Sequence, residues 1–330
     1  MNTESASGSP LAAAIIGAEN LEESLKFYRD VIGLDASPVE TWAGPAFERL
    51  WNLPKGASAR AALCQAGSDE VGRVLLAEFD SPDRQRVREN GERRAYSLFN
   101  LNFYTHDIFA AHTDLSARGY EFWSEPVNYA LSDAVGAPIE VIFEGPDGVA
   151  INLVELKGGD PDTQIGRMRA YLESHGTTST GYTNVVTSAH CVRSRDRAVD
   201  FYTQVLGMGI IIDEELSKPE TNHFLGLAEG SRTHITFFQG NNKFGKVAMS
   251  YPVNYDPPDL IPRSQAPNIG YIAQAFVVAD LGAAEAACER AQAETYAPRM
   301  EIDLPGIGER AVTTVRNPAS GAITLLIEAV

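Results

Sequence analysis

Apolar and polar positions divide this chain into alternating strand-like and helix-like stretches. Residues 11–18 form an unbroken apolar run of strand length, the pattern of a strand covered on both faces. Leu21, Leu25, Tyr28 and Ile32 then recur at helical spacing. Asn20, with Glu23 three residues on, has the form of a capping box, and Gly33 sits where the helix should stop. Strand-like runs follow at 46–50, 60–65 and 74–79. The same order returns from residue 98: a strand to Tyr104, a helix capped by Asp107 and ending near Gly119, and strands near 127–130, 139–143 and 150–156. It returns again over 185–251, through a helix around Phe201, and over 272–328, through a helix capped by Asp280. The predicted pattern is therefore strand–helix–strand–strand–strand, four times.

The repetition is also literal. Phe27-Tyr28-Arg29-Asp30-Val31-Ile32-Gly33-Leu34 comes back as Phe201-Tyr202-Thr203-Gln204-Val205-Leu206-Gly207-Met208. At the same offset Leu53, Gly56 and Arg60 fall on Leu227, Gly230 and His234, and Asp147-Gly148 later matches Ser320-Gly321. Self-similarity held over so long a register predicts two homologous domains, 11–157 and 183–330, each of two modules. A linker at 158–182, rich in Gly, Thr and Ser, carries a short predicted helix at 163–172, and the proline-rich stretch 256–268 reads as a surface loop. One module cannot bury both faces of its helix and sheet, so two modules of each half are expected to pair and curl into a shared cup. Wherever the halves differ in a chemical side chain, one of them is a candidate for specialisation.

Composition narrows the function classes. With Lys+Arg 27 against Asp+Glu 44, the net charge of −17 argues against a nucleic-acid partner, which needs a basic surface. No apolar run is long enough to span a membrane, and the small, polar start of the chain lacks the basic and apolar regions of a signal peptide. The expectation is a soluble cytoplasmic protein without membrane or nucleic-acid partners, acting on a small and aromatic molecule; a homodimer is left open. Three widely spaced cysteines, Cys64, Cys191 and Cys288, show no zinc or redox spacing and read as buried thiols. There is no P-loop, dinucleotide fingerprint, His-Glu-x-x-His or Gly-x-Ser-x-Gly, so no cofactor is expected.

The Phe-Tyr-x-x-Val-Ile/Leu-Gly signature and the Pro-Asp-Gly turn before an apolar strand resemble the vicinal oxygen chelate superfamily, which includes glyoxalase I, extradiol dioxygenases and bleomycin-resistance proteins. The resemblance covers nearly the whole chain. It implies an α+β fold of four βαβββ modules paired into two domains, each with a cupped mixed sheet. It implies chemistry poorly, because members bind, isomerise, cleave or oxidise on one scaffold. Metal-using relatives place a His on the first strand of a module and a Glu on its last. Here the first position reads Ala13, Asn100, Thr187 and Ala273, and the second Leu75, Asn152, Ala248 and Leu325. None is an imidazole or a carboxylate, so the chain is read as metal-independent. Three outer carboxylates, Glu78, Glu155 and Glu328, recur three residues beyond and should point to the opposite face.

What remains could do acid–base work. The strand period of two puts Asn100, Asn102 and Tyr104 on one face, with Asn152 joining them and Arg60 pointing into the same N-terminal cup. Amides orient an oxygen but take no proton at neutral pH. In the C-terminal half the run Arg232-Thr233-His234-Ile235-Thr236-Phe237-Phe238 resembles the dioxygenase strand that carries a His beside the metal. His234 is therefore the candidate general base, with His223 on a preceding strand as its neighbour and Thr187 and Cys191 on the same wall. His234, His223 and Tyr104 are the catalytic candidates; Asn100, Asn102, Asn152, Arg60, Thr187 and Cys191 are the substrate-binding ones. The reading is a metal-independent lyase or isomerase acting on a small aromatic or carbonyl compound. The alternatives are a ligand-binding protein like the bleomycin-resistance branch and a dioxygenase relative that has lost activity.

Overall fold

Each module begins with a strand buried on both faces, then a helix whose first amides are met by a side-chain oxygen. The structure, a computed structural model, describes residues 7–89, 92–157 and 160–330. The chain start through residue 6 and the first linker residues, Gly158 and Gly159, lie outside the described residues. Module one runs β1 (Leu11–Gly17), α1 (Leu21–Leu25) continuing as a π-helical stretch (Lys26–Val31), β2 (Asp35–Ala36), β3 (Glu40–Ala43), α2 (Pro45–Leu50), β4 (Ser58–Gln65) and β5 (Arg73–Phe79). Module two runs β6 (Leu98–Tyr104), α3 (Ile108–Ala117), β7 (Val127–Asn128), β8 (Ile139–Glu144) and β9 (Ala150–Glu155). Helix α4 (Gln164–His175) occupies the linker. Module three runs β10 (Thr187–Cys191), α5 (Arg195–Asp200) with its π-helical continuation (Phe201–Val205), β11 (Gly209–Leu216), α6 (Pro219–Phe224), β12 (Thr233–Gln239) and β13 (Lys246–Pro252). Module four runs β14 (Gly270–Val278), α7 (Leu281–Arg290), β15 (Glu294–Leu304), β16 (Gly308–Arg316) and β17 (Ile323–Glu328).

The caps follow the sequence. Asn20 accepts from the Glu22 and Glu23 amides, Asp107 from Ala110 and Asp280 from Ala283. The repeated outer carboxylates lie on the helix side of the sheets. Glu78 accepts from the Leu21 amide at 3.2 Å and Glu155 from the Ile108 amide at 3.0 Å. A carboxylate there answers unpaired helix-start amides and the positive end of the helix dipole. After both Phe-Tyr signatures the chain turns on a glycine with positive φ, Gly33 at 82° and Gly207 at 64°, a backbone region that side chains rarely enter.

The segment read as a strand at 46–50 is the helix α2. Gly44 and Pro45 open it, and proline at a first helical position is pre-set for helix rather than sheet. Its apolar residues serve as a lid rather than a strand face: Phe47, Leu50 and the following Trp51 are fully buried.

The four modules form two mixed sheets, and they do so crosswise. One sheet has the order β15-β16-β17-β14-β1-β5-β4-β2, with β3 also on β4; the other has β11-β12-β13-β10-β6-β9-β8-β7. Modules one and four thus share a cup, and modules two and three share the other. The expectation that each cup lies within one half of the sequence is corrected. Self-similarity identifies modules of one kind but says nothing about which first-strand edge meets which. Here β1 meets β14 and β6 meets β10, both antiparallel, so all four first-strand edges are covered. The helix-bearing faces of both sheets share one large core, including Phe27, Tyr28, Phe103, Phe201 and Phe276. Each cup face has its own separate cluster. No helix among the described residues is long and apolar enough to cross a membrane.

Candidate functional site

The two cups are chemically unlike. In the cup of modules one and four, the positions where relatives carry metal ligands are Ala13, Leu75, Ala273 and Leu325, all within one apolar cluster. Helix α2 fills the space above them. Trp42, Phe47, Trp51 and Phe79 pack ring against ring, with centroids 5.1–6.1 Å apart. Aromatic packing of this kind is a core, not a ligand site.

The cup of modules two and three holds two adjoining cavities. One lies under α4, against Tyr104, Ile165 and Met168; the other lies under α6, against Phe99, Phe224 and Ala248. Asn102, Tyr129, Glu140, Ile235 and Phe237 border both. The first has about 40 Å³ of free volume and the second about 50 Å³.

Strand register lays a polar row across the floor of this cup. Asn152 on β9 pairs with Asn102 on β6, Asn102 with Thr187 on β10, and Thr187 with Lys246 on β13. At the usual strand spacing the row spans roughly 14 Å over four strands. It crosses the junction between modules, so neither module holds it alone. The side-chain oxygens of Asn100, Asn102 and Asn152 are buried and have no partner. Buried polar atoms are ordinarily paired, so three orphaned acceptors in one cavity mark a place for a donor from outside the protein.

Glu140 stands beside this row on β8. It shares the cup face with Ile142, while Val141 and Phe143 enter the shared core. Its carboxylate accepts from the Tyr129 hydroxyl at 2.8 Å and from the Asn152 amide at 2.7 Å. Burial raises its pKa, and those two hydrogen bonds offset part of the rise. At the far end of the row Lys246 is 1 % exposed. Burial, helped by the charge of Lys243, brings its ammonium down to about 7. Arg94 borders the second cavity with its guanidinium 4.3 Å from the centre of the Phe99 ring.

Five of the sequence-predicted site residues meet here: Asn100, Asn102, Tyr104, Asn152 and Thr187. Burial pushes the Tyr104 hydroxyl upward and its proton points to the Met168 sulfur at 3.2 Å, so it serves as a wall and a donor rather than a base. Four others do not belong. Ile235 and Phe237 face the cup, so His234, one residue before Ile235, faces the helix side, where its Nε2 lies 2.8 Å from Asp213 Oδ1. Its strand mixes polar and apolar residues on both faces, which hides the parity in the sequence. His223 is exposed on α6, a helix rather than a preceding strand. Arg60 lies on the helix side of β4, paired with Glu22 at 2.6 Å and Glu78 at 3.1 Å. Cys191 borders neither cavity, and burial pushes its thiol up to about 12, far from a reactive thiolate. His190 faces away from the cup as expected, and burial brings it down to about 3.

Sequence reasoning missed Glu140, Tyr129 and Lys246. Glu140 could have been found as the charged residue alternating with Val141 and Phe143 in a predicted strand. Lys246 could have been found opposite Thr187, but only once the pairing of their strands was known.

The metal-ligand positions of this second cup are Asn100, Asn152, Thr187 and Ala248. Neutral oxygens with one methyl group do not fit Zn, Ni, Fe or Mn, which want imidazole or carboxylate. The nearby carboxylate, Glu140, is committed to Asn152 and Tyr129. Among the described residues no three His, Cys, Asp or Glu side chains converge.

A family model described as the Glyoxalase/Bleomycin resistance protein/Dioxygenase superfamily matches residues 11–153 and 186–322. Glyoxalase I from Zea mays is similar in structure, with TM-score 0.59 and 14% identity over 97% of this chain and 92% of that one. A putative dioxygenase from Bacillus subtilis is similar with TM-score 0.52 and 11% identity over 99% and 86%. At such identities the likeness is one of fold. No curated protein matches the chain in sequence.

Proposed function

The chain belongs to the Glyoxalase/Bleomycin resistance protein/Dioxygenase superfamily, and from that premise we propose that the cup of modules two and three is a metal-independent acid–base site. Its substrate is a small aromatic carbonyl compound, and its reaction class is that of a lyase or isomerase. The observation that carries this reading is Glu140. Its carboxyl is held by Tyr129 and Asn152 at the edge of an apolar cavity, and burial raises its pKa. A general base works best when its pKa lies near the operating pH.

The division of labour follows from the residue types. Phe99, Tyr129, Phe224 and Phe237 offer faces for an aromatic ring. Glu140 takes a proton from the carbon next to the carbonyl and returns it elsewhere. The amides of Asn100 and Asn102 supply N–H groups to a developing oxyanion and carbonyl oxygens to a substrate hydroxyl. The donor set of the cup offers nothing to hold a transition metal, so the polarisation that a metal would supply falls to these groups.

Proton transfer is tested in deuterated water with a panel of aryl ketones bearing an α-hydrogen. The protein should catalyse deuterium uptake at that carbon, read by proton NMR. Glu140→Gln should lower the uptake at least about a hundredfold, the usual scale for a positioned base, while calorimetric binding persists. Binding without exchange would favour the second reading, a sequestering protein, for which the aromatic walls already suffice. Equal exchange by Glu140→Gln would remove Glu140 from the chemistry.

A further inference from the structure

Lys246 has no role in the chemistry described above, and its placement is unusual. It is among the largest fully buried side chains of the protein, at 1 % exposure, yet it is a lysine. Its ammonium donates to the Lys243 carbonyl at 2.6 Å and forms no ion pair with any carboxylate among the described residues. Its Nζ lies 5.4 Å from the centre of the Tyr104 ring and 6.0 Å from that of Phe244. It borders the cavity that Glu140 also borders, and its strand partner is Thr187 in the polar row.

Holding a charged ammonium in such a place without a counter-ion is costly, and the cost is relieved by losing the proton. The other five lysines, at 26, 55, 157, 218 and 243, have solvent to keep them charged. A neutral amine facing an apolar cavity is a nucleophile toward carbonyl carbon.

We propose that Lys246 is a covalent carbonyl-binding residue, forming an imine with an aldehyde or ketone bound in the cup. The inference rests on the reading of the cup as a carbonyl site. The amine nitrogen attacks the carbonyl carbon to give a carbinolamine. Loss of the former carbonyl oxygen as water then leaves a carbon–nitrogen double bond, and water reverses the sequence. No oxidant or reductant takes part. The imine, when protonated, withdraws electrons from the adjacent carbon and acidifies its hydrogen.

The test uses benzaldehyde with sodium cyanoborohydride at pH 7, which reduces an imine to a stable benzyl adduct located by peptide mass mapping. Lys246 should carry at least tenfold more adduct than any other lysine, because near pH 7 its amine is substantially neutral while a lysine of ordinary pKa, about 10.4, is almost wholly charged. Trapping should rise with pH through a midpoint near that of Lys246. Lys246→Met should lose this adduct, and Glu140→Gln should retain it. Adducts spread evenly over the exposed lysines of the wild-type protein would overturn the proposal, and that result needs no variant to fold. Deuterium exchange that persists without trapping at Lys246 would overturn the imine alone. Failure of both would overturn the reading of the cup on which it rests.

Discussion

The Asn152 side-chain amide donates to a carboxylate oxygen of Glu140 at 2.7 Å, across the pairing of β9 with β8. Asn152 stands where metal-using relatives carry a glutamate, by the resemblance drawn from the sequence. The carboxylate of this cup is one strand further out, and the amide now orients it. Where such relatives hold a metal, this chain has an amide that fixes a carboxylate.

The burial of Glu140 has a consequence for stability. Burial raises the pKa of Glu140 in the folded protein. A raised value means that the folded state keeps the proton longer than the unfolded chain. The associated stability is therefore complete below the ordinary glutamate range and is lost as pH rises through the raised value. Glu140→Gln removes the dependence. Urea unfolding at intervals from pH 4 to 8 should show the variant gaining on the wild type as pH rises, at no more than about 1.4 kcal/mol per pH unit. A difference that stays flat over this range contradicts the assignment.

The orphaned amide oxygens predict an affinity effect. Asn100→Ala and Asn102→Ala should each weaken binding of a hydroxylated aromatic ketone by about 1–3 kcal/mol, the scale for losing a buried partner. Calorimetry would read it. The same variants should bind an analogue lacking the hydroxyl nearly as well as the wild type does, and equal losses for both ligands would argue against a hydrogen-bonding role.

His234 should prove dispensable. Its pairing with Asp213 is partly exposed, and such pairs contribute about 0–1 kcal/mol. His234→Ala should shift stability by no more than that and leave ligand binding and deuterium exchange unchanged. A hundredfold loss of exchange in a folded His234→Ala protein would restore it as the base.

The filled cup should respond in the opposite way to the open one. Trp51→Ala should cost about 3–5 kcal/mol of stability, the range for deleting a buried aromatic. In protein that remains folded at lower temperature, affinity in the other cup should not change. Loss of binding in parallel with loss of packing would mean that the two cups are coupled.

Much of this fold was legible in the sequence, and for identifiable reasons. The Phe27-Tyr28 and Phe201-Tyr202 signatures carry a helix, its apolar stripe and a glycine that turns on positive φ, so three local constraints agree in eight residues. The caps Asn20, Asp107 and Asp280 mark helix starts through short-range hydrogen bonds. Segments 46–50 and 234 were misread because the deciding force is not local. Phe47 and Leu50 are buried against a sheet supplied by both ends of the chain, and the direction of His234 depends on which parity of a mixed polar and apolar strand faces a cup. Glu140 and Lys246 were invisible as a pair for the same reason: the row that joins their surroundings crosses from module two to module three. Asn100, Asn102 and Asn152 were recognisable because a polar residue in an otherwise apolar buried strand is conspicuous by itself.

The crosswise sheets bear on what can be cut out of this molecule. Since β1 hydrogen-bonds to β14 and β6 to β10, severing the chain near α4 yields two fragments that each own half of both sheets. Neither fragment is a finished body; each exposes two bare strand edges that only the other can satisfy. The fragments should therefore be recovered as a pair, and each alone should aggregate or stay unfolded. Duplication here did not produce two beads on a string. It produced two hands with interlaced fingers, one grip closed on itself and the other left with room for something to hold.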